Sequence, residues 1–349
     1  MPHRYLVTGA QGFVGRYLVN CLLSRSEHGT ILGIGRSPRQ DSYFLHPLTC
    51  SAQKVLAPLP EAFGVSRSPR YSYLSVDLLS DKLGDVVSQF RPTAVIHLAA
   101  SLRGVTDELI LLNNVRSTES LLKVLLTSGN KLEMFLLASS GGVYGCQEMQ
   151  PISEHASLAP VDVYARSKVV SEEMVQDFAE QSGVPVAIAR IFNVLGPGQD
   201  ELHLGGRLVS QIGTILSRAT PAVIRTRSLA STRDFLDVRD VSSALALILD
   251  QNRRGIYNVG SGVETRIADL VMLFVQAAEL REAARIESDS NVIDPIPRHV
   301  ARIQKIAATG LKPTHPLAVS CCDMLEYYRR LILHSRDTPV TCAKLCTRL

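Results

Sequence analysis

Tyr5-Leu-Val-Thr-Gly-Ala-Gln-Gly-Phe-Val-Gly-Arg-Tyr-Leu-Val19 reads as a buried strand, a glycine turn and the opening of a helix. Tyr5, Leu6 and Val7 form a short apolar run, and Phe13, Val14, Tyr17 and Leu18 then recur at helical spacing. In that setting Gly9 permits the tight turn, Gly12 lets the backbone approach a pyrophosphate, and Gly15 lets helix and strand pack closely. The helix start aims free N–H groups and a positive dipole end at the same phosphates. Glycines also serve ordinary turns, but this trio follows a strand near the first methionine and is preceded by Thr8. The stretch therefore predicts a nucleotide cradle, with Gln11, Phe13 and Val14 as the other turn residues expected against the cofactor.

The 349 residues allow a sizeable core in one large or two modest domains. Charged residues make up 20% and apolar ones 46%, the balance of a globular protein. The net charge of +4 is spread along the chain and leaves no nucleic-acid footprint. Met1-Pro-His-Arg4 leads into the first strand without room for a signal peptide, and no window reaches the length of a membrane span, so a cytoplasmic protein is expected. Cys21, Cys50, Cys146, Cys321, Cys322, Cys342 and Cys346 contain no Cys-x-x-Cys pair and read as reduced thiols. Cys342 and Cys346 lack adjacent histidines, and no metal site is expected.

Farther along, strands alternate with helices. Thr30-Ile-Leu-Gly-Ile-Gly-Arg36 is the second strand, ending where a dinucleotide-binding sheet meets the adenosine ribose. A carboxylate there would bind the ribose 2′-OH and repel a 2′-phosphate. Gly35 holds that place and Arg36 follows, which favours NADP, with NAD as the alternative. A solvated arginine after a strand is the plainer reading. Asp41 lies too far into the loop to be preferred. Residues 42–70, with several prolines, few periodic positions and Arg67 and Arg70, read as a long surface connection near the adenine end.

Tyr73-Leu-Ser-Val-Asp-Leu78 is the third strand, where Asp77 either accepts from the adenine amine or caps a turn, with Leu78 beside it. Ala94-Val-Ile-His-Leu-Ala-Ala100 is an apolar strand whose end, Leu98, Ala99 and Ala100, lets backbone pass close to a dinucleotide. Asn114 opens an amphipathic helix through Leu121, Leu122, Leu125 and Leu126, where it orders a backbone bond or a water, or is an ordinary helix polar residue. Phe135 to Ser140 and Val186 to Phe192, with Ile191 near its end, supply further strands. The alternation predicts an α/β fold with a doubly wound parallel sheet.

The chemistry lies in Ser139-Ser140 at a strand end and in Tyr164-Ala-Arg-Ser-Lys168. Residues i and i+4 share one helix face, so Tyr164 and Lys168 stand on one wall. A tyrosine titrates near pH 10, and bringing it to neutrality takes roughly 4 kcal/mol. A nearby ammonium, a hydrogen bond to the phenolate and a positive nicotinamide ring can together supply that. Tyr164 would then pass a proton to or from a carbonyl oxygen, Ser140 would hydrogen-bond the same oxygen, and Lys168 would also hold the nicotinamide ribose.

With these motifs the chain resembles the extended short-chain dehydrogenase/reductases, a family of nucleotide-sugar epimerases, dehydratases and reductases. The resemblance runs from Tyr5 to about Gly262. It makes Ser139-Ser-Gly-Gly-Val-Tyr-Gly145 the active-serine motif, with Ser140 as its serine. It also implies that Asn193, in Ala189-Arg-Ile-Phe-Asn-Val-Leu-Gly-Pro-Gly198, contacts the diphosphate-linked sugar, and that Arg233, in Ser231-Thr-Arg-Asp-Phe-Leu-Asp-Val-Arg-Asp240, contacts the nucleotide diphosphate. A Rossmann-type sheet with a smaller α/β C-terminal substrate domain follows from it. Residues 1–190 and 234–260, joined by strands around Phe235 and Tyr257, are expected to bind the dinucleotide. Residues 191–233 and 261–333 are expected to bind the substrate, and 334–349 to be a loosely packed tail.

In the family's 4,6-dehydratases the two residues after the active serine or threonine are acidic, whereas this chain has Gly141 and Gly142. Dehydration is set aside on that ground, and Gly141 is expected only to border the substrate. Leu208-Val-Ser-Gln-Ile212, Pro221 to Arg225 and Arg233 to Val241 look most like GDP-4-keto-6-deoxy-mannose reductases, which reduce a C4 ketone with NADPH. The family's Arg-Pro before an Asp-x-Pro stretch is missing from Asn291-Val-Ile-Asp-Pro-Ile-Pro-Arg298, and Arg298 is expected to replace the contact at the base. An epimerase that retains NAD and a non-enzymatic dinucleotide sensor are the alternatives; sensors of this kind tend to lose the tyrosine or lysine, and both are present. The resemblance further implies a homodimer through the helices around Leu112 to Leu126 and Tyr164 to Ala179.

Overall fold

The computed structural model describes residues 3–25, 29–38, 42–50, 53–63, 68–218, 222–280, 284–288 and 294–337. The apolar run at Tyr5 builds β1 (Arg4–Thr8), which pairs in parallel with β2 (Thr30–Gly35) on one side and β6 (Ala94–His97) on the other. Beyond β2 lies β5 (Tyr71–Ser75). Beyond β6 come β7 (Met134–Ser140), β8 (Val186–Ile191) and β12 (Gly255–Val259), giving the seven-strand order β12-β8-β7-β6-β1-β2-β5. Such a sheet is covered on both faces, and every residue of β6 is buried accordingly. Strand order reverses between β1 and β6, so the crossing chains leave to opposite faces and open a crevice at the strands' carboxyl ends.

One face carries α1 (Phe13–Arg25) and α7 (Val238–Asp250), which bury Leu18, Val19, Leu22, Val241, Leu245 and Ile248, with α9 (Gln304–Ala307) beside them. The other carries α2 (Lys82–Phe90), α4 (Ser117–Thr127) and α5 (Val163–Ser182), which bury Leu83, Val87, Leu121, Leu125, Val175 and Phe178. The helix expected to open at Asn114 starts earlier. Thr106 caps α3 (Asp107–Leu111), whose first turn carries Asp107 and Glu108, a better start signal than Asn114. A π-turn over Leu112–Arg116 then leads into α4 and leaves Asn114 buried mid-helix.

The segment read as a surface connection is a hairpin. In it β3 (Tyr43–Cys50) pairs antiparallel with β4 (Gln53–Pro58). Phe44, Leu48, Cys50 and Ala57 are buried, not against the adenine end but with Tyr17, Leu208, Ile212, Met324 and Tyr328. Arg70 fixes the return by donating to the Leu23 carbonyl at 2.6 Å; Asp41 and Arg67 lie outside the described residues.

The hairpin packs into a second lobe made of α6 (Leu204–Arg218), α8 (Ile267–Ala277) and α10 (Leu317–Asp337). Short strands complete it. Here β9 (Asn193–Leu195), β13 (Glu264–Arg266) and β15 (Arg298–His299) pair with β11 (Thr232–Asp237), and β10 (Val223–Thr226) pairs with β14 (Arg285–Ser288). The strand carrying Phe235 therefore does not join the large sheet as expected; only Tyr257's strand does, because Phe235 is buried with Leu195 and Ile267 in the second core. The first residues of the expected tail continue α10 to Asp337, while Cys342 and Cys346 lie outside the described residues. Among the described residues no helix is long and apolar enough to cross a membrane, and Cys21, Cys50, Cys146, Cys321 and Cys322 are free thiols.

Candidate active site

Two glycines of the turn admit no side chain. Gly9 has φ +68°, and a Cβ on it would lie 2.8 Å from the Ala99 nitrogen; one on Gly15 would lie 2.2 Å from the Gly9 carbonyl oxygen. Thr8 locks the turn to the end of β6, its Oγ1 accepting from Ala99 N at 3.1 Å and meeting His97 Nδ1 at 2.7 Å. His97 Nε2 continues to Thr118 Oγ1 at 2.9 Å. Asn114 Oδ1 accepts from Ser101 N at 2.7 Å, and its Nδ2 donates to Ser167 Oγ at 2.9 Å, tying the loop after β6 to α5.

These elements frame a cleft of about 870 Å³ between the two lobes. Gly9, Gly12, Phe13, Val14, Gly15, Leu98, Ala100, Tyr164, Lys168 and Ile191 line it, which is most of the expected cofactor set. Gln11 is buried beneath the turn with neither amide atom hydrogen-bonded. The adenosine-end residues stand outside the cleft lining. Arg36 is exposed past β2 and donates to Asn113 Oδ1 at 2.8 Å. Asp77 is exposed and accepts from Leu79 N at 2.9 Å, the turn-capping alternative, while Leu78 is buried in the sheet's core.

Ser140 ends β7 in extended conformation, and its Oγ accepts from Gly142 N at 3.1 Å, which leaves the hydroxyl hydrogen available. Asp162 caps α5 through Ala165 N at 2.7 Å, so Tyr164 sits in the first turn with its phenol hydrogen-bonded to Ser140. Lys168 shares that wall, as the spacing implied, and donates to the Ala138 carbonyl at 2.9 Å. Acidification of Tyr164 is expected from Lys168, a hydrogen bond and the nicotinamide ring together, and without that ring the phenol is not acidified. Burial holds the phenol above its ordinary range, against the charge of Arg103 and the Ser140 hydrogen bond. Lys168 Nζ is 6.0 Å from the ring centroid, and burial brings its own pKa down to about 8, with Glu172 pulling it back up. The near cation is Arg103, 4.6 Å over the ring.

Beneath this pair lies a buried polar network that the sequence does not announce. Glu172 receives Arg190 through Nη2 at 2.6 Å and Nε at 3.1 Å and also accepts from the Ser139 hydroxyl. Arg190 Nη1 reaches Tyr144 Oη at 2.9 Å, and Tyr144 donates to Asn258 Oδ1 at 2.7 Å. The network fixes the end of β7 that presents Ser140.

The second lobe supplies the facing wall. Asn193 lines the cleft and donates to the Asp234 carbonyl at 3.0 Å; Arg233 lines it and pairs with Asp294 at 2.6 Å. Arg207 and Arg227 also line it, and burial together with the charge of Arg227 lowers the Arg207 pKa. Arg298 does not serve as expected: it points away, forms a bidentate pair with Glu264 at 2.6 and 2.8 Å, and leaves the cleft to His299. Successive side chains of a strand face opposite ways, so the two-residue β15 turns 299 in and 298 out. His299 stacks on Phe192 at 4.7 Å and meets the Gly141 carbonyl through Nε2 at 3.0 Å. Gly141 is buried behind these rings, where a Cβ would lie 2.9 Å from Phe192, and Gly142 borders the cleft in its stead.

His97 and His299 make the fold acid-sensitive. Burial lowers their pKa values to about 3 and about 4, so both are neutral in the folded protein at pH 6. Between their ordinary pKa near 6.5 and pH 4 the unfolded chain binds protons that the folded chain does not, and stability is lost as the pH falls. Urea unfolding is expected to lose about 3 kcal/mol per histidine between pH 7 and pH 4. His299→Asn should flatten part of that slope, and an unchanged slope would place the acid sensitivity elsewhere.

Residues 5–260 match the model of the NAD dependent epimerase/dehydratase family. The chain belongs to that family. This epimerase/dehydratase chain is 31% identical over 288 residues to GDP-6-deoxy-D-mannose reductase from Pseudomonas aeruginosa, covering 80% of this chain and 82% of that protein. It is 26% identical over 316 residues to a putative UDP-glucose 4-epimerase from Methanocaldococcus jannaschii, covering 88% and 92%. A structure of RMD from Pseudomonas aeruginosa complexed with NADPH superposes with a TM-score of 0.74 and 27% identity, covering 95% of this chain and 100% of that one. This member is thus a nucleotide-sugar-modifying enzyme of the extended short-chain dehydrogenase/reductase type that works with NAD(P).

Proposed function

We propose that this protein is an NADP-dependent reductase of a nucleotide-diphosphate-linked 4-keto-6-deoxy sugar, with GDP-4-keto-6-deoxy-mannose as the model substrate. The observation that carries the reading is one cleft lined by the glycine turn, by Ser140, Tyr164 and Lys168, and by Arg207, Arg227 and Arg233. Bare backbone at Gly9, Gly12 and Gly15, which line the cleft without side chains, suits a pyrophosphate. Gly9, Gly12, Phe13, Val14 and Gly15 would hold that pyrophosphate, Lys168 the nicotinamide ribose, and Arg36 the 2′-phosphate. When bound, the reduced dinucleotide supplies the hydride for C4.

The chain's own residues supply the rest. Tyr164 gives its proton to the C4 oxygen, so that ketone, hydride and proton make the alcohol. The Ser140 hydroxyl, whose oxygen is already occupied by Gly142 N, donates to the same oxygen. Arg233, with Arg207 and Arg227, meets the diphosphate through charge-assisted hydrogen bonds. Gly141 and Gly142 offer no acid or base for dehydration, and Phe192 and His299 leave no space for one at 141.

NADPH oxidation with GDP-4-keto-6-deoxy-mannose tests the reading, preceded by thermal shifts against NADP, NAD, GDP, UDP and dTDP to assign both halves of the cleft. The M. jannaschii relative favours a second reading, a 4-epimerase retaining NAD. Purified protein that carries NAD and turns over without added NADPH would replace the first reading with the second. Arg36→Ala is expected to raise the KM for NADPH by about tenfold or more, the worth of a charge-assisted bond or two, and to leave NADH unaffected. Equal effects on both would remove Arg36 from the 2′-phosphate. We also propose a homodimer through the helices around Leu112 to Leu126, where Leu112 and Leu126 stand exposed, and Tyr164 to Ala179, testable by light scattering.

A further inference from the structure

We propose that Arg103 is a positioning residue for the proton donor Tyr164: its guanidinium, tethered by Asp162 to the start of α5, lies over the phenol ring and holds the phenolate left when the proton departs. The inference rests on the proton-donor reading above and adds a residue that no sequence motif marks.

The geometry is specific. Arg103 lies in the loop after β6, and its Cζ stands 4.6 Å from the Tyr164 ring centroid. Its Nε donates to Asp162 Oδ2 at 2.6 Å, while the other oxygen of that carboxylate caps α5 through Ala165 N at 2.7 Å. One carboxylate thus sets both the helix that carries the phenol and the cation above it. Gly142 contributes by its lack of a side chain. A Cβ there would lie 3.3 Å from Ser140 Oγ and 3.5 Å from Arg103 Nη2, so the guanidinium reaches over the turn that presents the serine. A cation over an aromatic face is attracted to it, and more strongly once the ring carries a negative charge.

Other charged groups around the phenol do not replace this one. Lys168, from within α5, is farther from the ring at 6.0 Å, and Asp162 opposes the phenolate. His299, beyond the end of β7, is neutral, and Glu172 is turned toward Arg190. The second lobe adds Arg207, Arg227 and Arg233 to the far part of the cleft, which the diphosphate would neutralise. Burial and Asp162 act to raise the Tyr164 pKa, and Arg103 is the largest opposing charge.

The test compares Arg103→Gln and Arg103→Lys with the wild type in the full chain. The phenolate absorbance of Tyr164 is isolated by subtracting the titration of Tyr164→Phe from each, and kcat for the keto sugar is followed against pH. Arg103→Gln is expected to move the Tyr164 titration up by about one pH unit and to lower kcat about tenfold at neutral pH, with KM for the sugar within about twofold. Arg103→Lys should restore most of both, since it keeps the charge. A titration that does not move, or a loss confined to KM, would overturn the proposal. The titration needs no sugar, so failure of the substrate assignment would leave its result standing. Arg103 is 58% exposed, and unfolding of the variants is checked by circular dichroism.

Discussion

Tyr164→Phe is expected to lower kcat for NADPH-dependent reduction of the keto sugar by about 10²–10⁴-fold, with KM and melting temperature close to wild type. The substitution removes one oxygen and leaves the ring, which is buried between Ser140 and the Arg103 guanidinium. The size follows from general-acid chemistry: without the phenol a ketone oxygen must take its proton from water or from the much weaker acid of Ser140. Stopped-flow measurement of NADPH absorbance separates the hydride step from product release. A variant retaining more than half of the wild-type kcat would remove Tyr164 as donor and with it the reductase mechanism. A large loss in thermal stability would instead mark the hydroxyl as structural.

How far the sequence could be read depends on whether the signal was local. The glycine turn is legible because its spacing and its strand-then-helix setting are local: the clash at Gly15 comes from Gly9 and Ala10, and only that at Gly9 involves a distant residue, Ala99 after β6. Tyr164 and Lys168 were likewise legible, since four residues on one helix fix a shared face whatever the tertiary packing. Where packing between distant elements decided the outcome, reading stopped. Phe44, Leu48 and Cys50 do alternate, but Pro47 interrupts them, and only the second core explains why they are buried. Residues 298 and 299 differ by one place in a two-residue strand, too short for a period to show which faces in. Arg103 lies in a loop with no periodicity, and its neighbour Asp162 is 59 residues away. Phe235 looked like a strand for the large sheet because apolar runs do not say which sheet they enter.

The same distance rule hides Glu172, an acidic residue in a helix and 18 residues from Arg190, whose replacement should have the largest effect on stability. Glu172→Gln keeps the shape but leaves the Arg190 guanidinium buried without its carboxylate partner, and breaking a buried pair from one side costs about 3–5 kcal/mol. Both side chains are at most 4% exposed, so water offers little relief. Urea unfolding at pH 7 should register the loss, and Glu172→Gln with Arg190→Met should recover much of it, since the stranded charge is then gone. A chemical consequence accompanies the structural one. Glu172 favours the charged form of Lys168 against burial, so its neutralisation should push the Lys168 pKa further below about 8. A smaller fraction of Lys168 then carries its proton at neutral pH, and the alkaline fall in kcat should begin at lower pH in Glu172→Gln than in wild type. If stability falls but the pH profile stays where it was, the network holds β7 in place without setting the charge of the lysine above it.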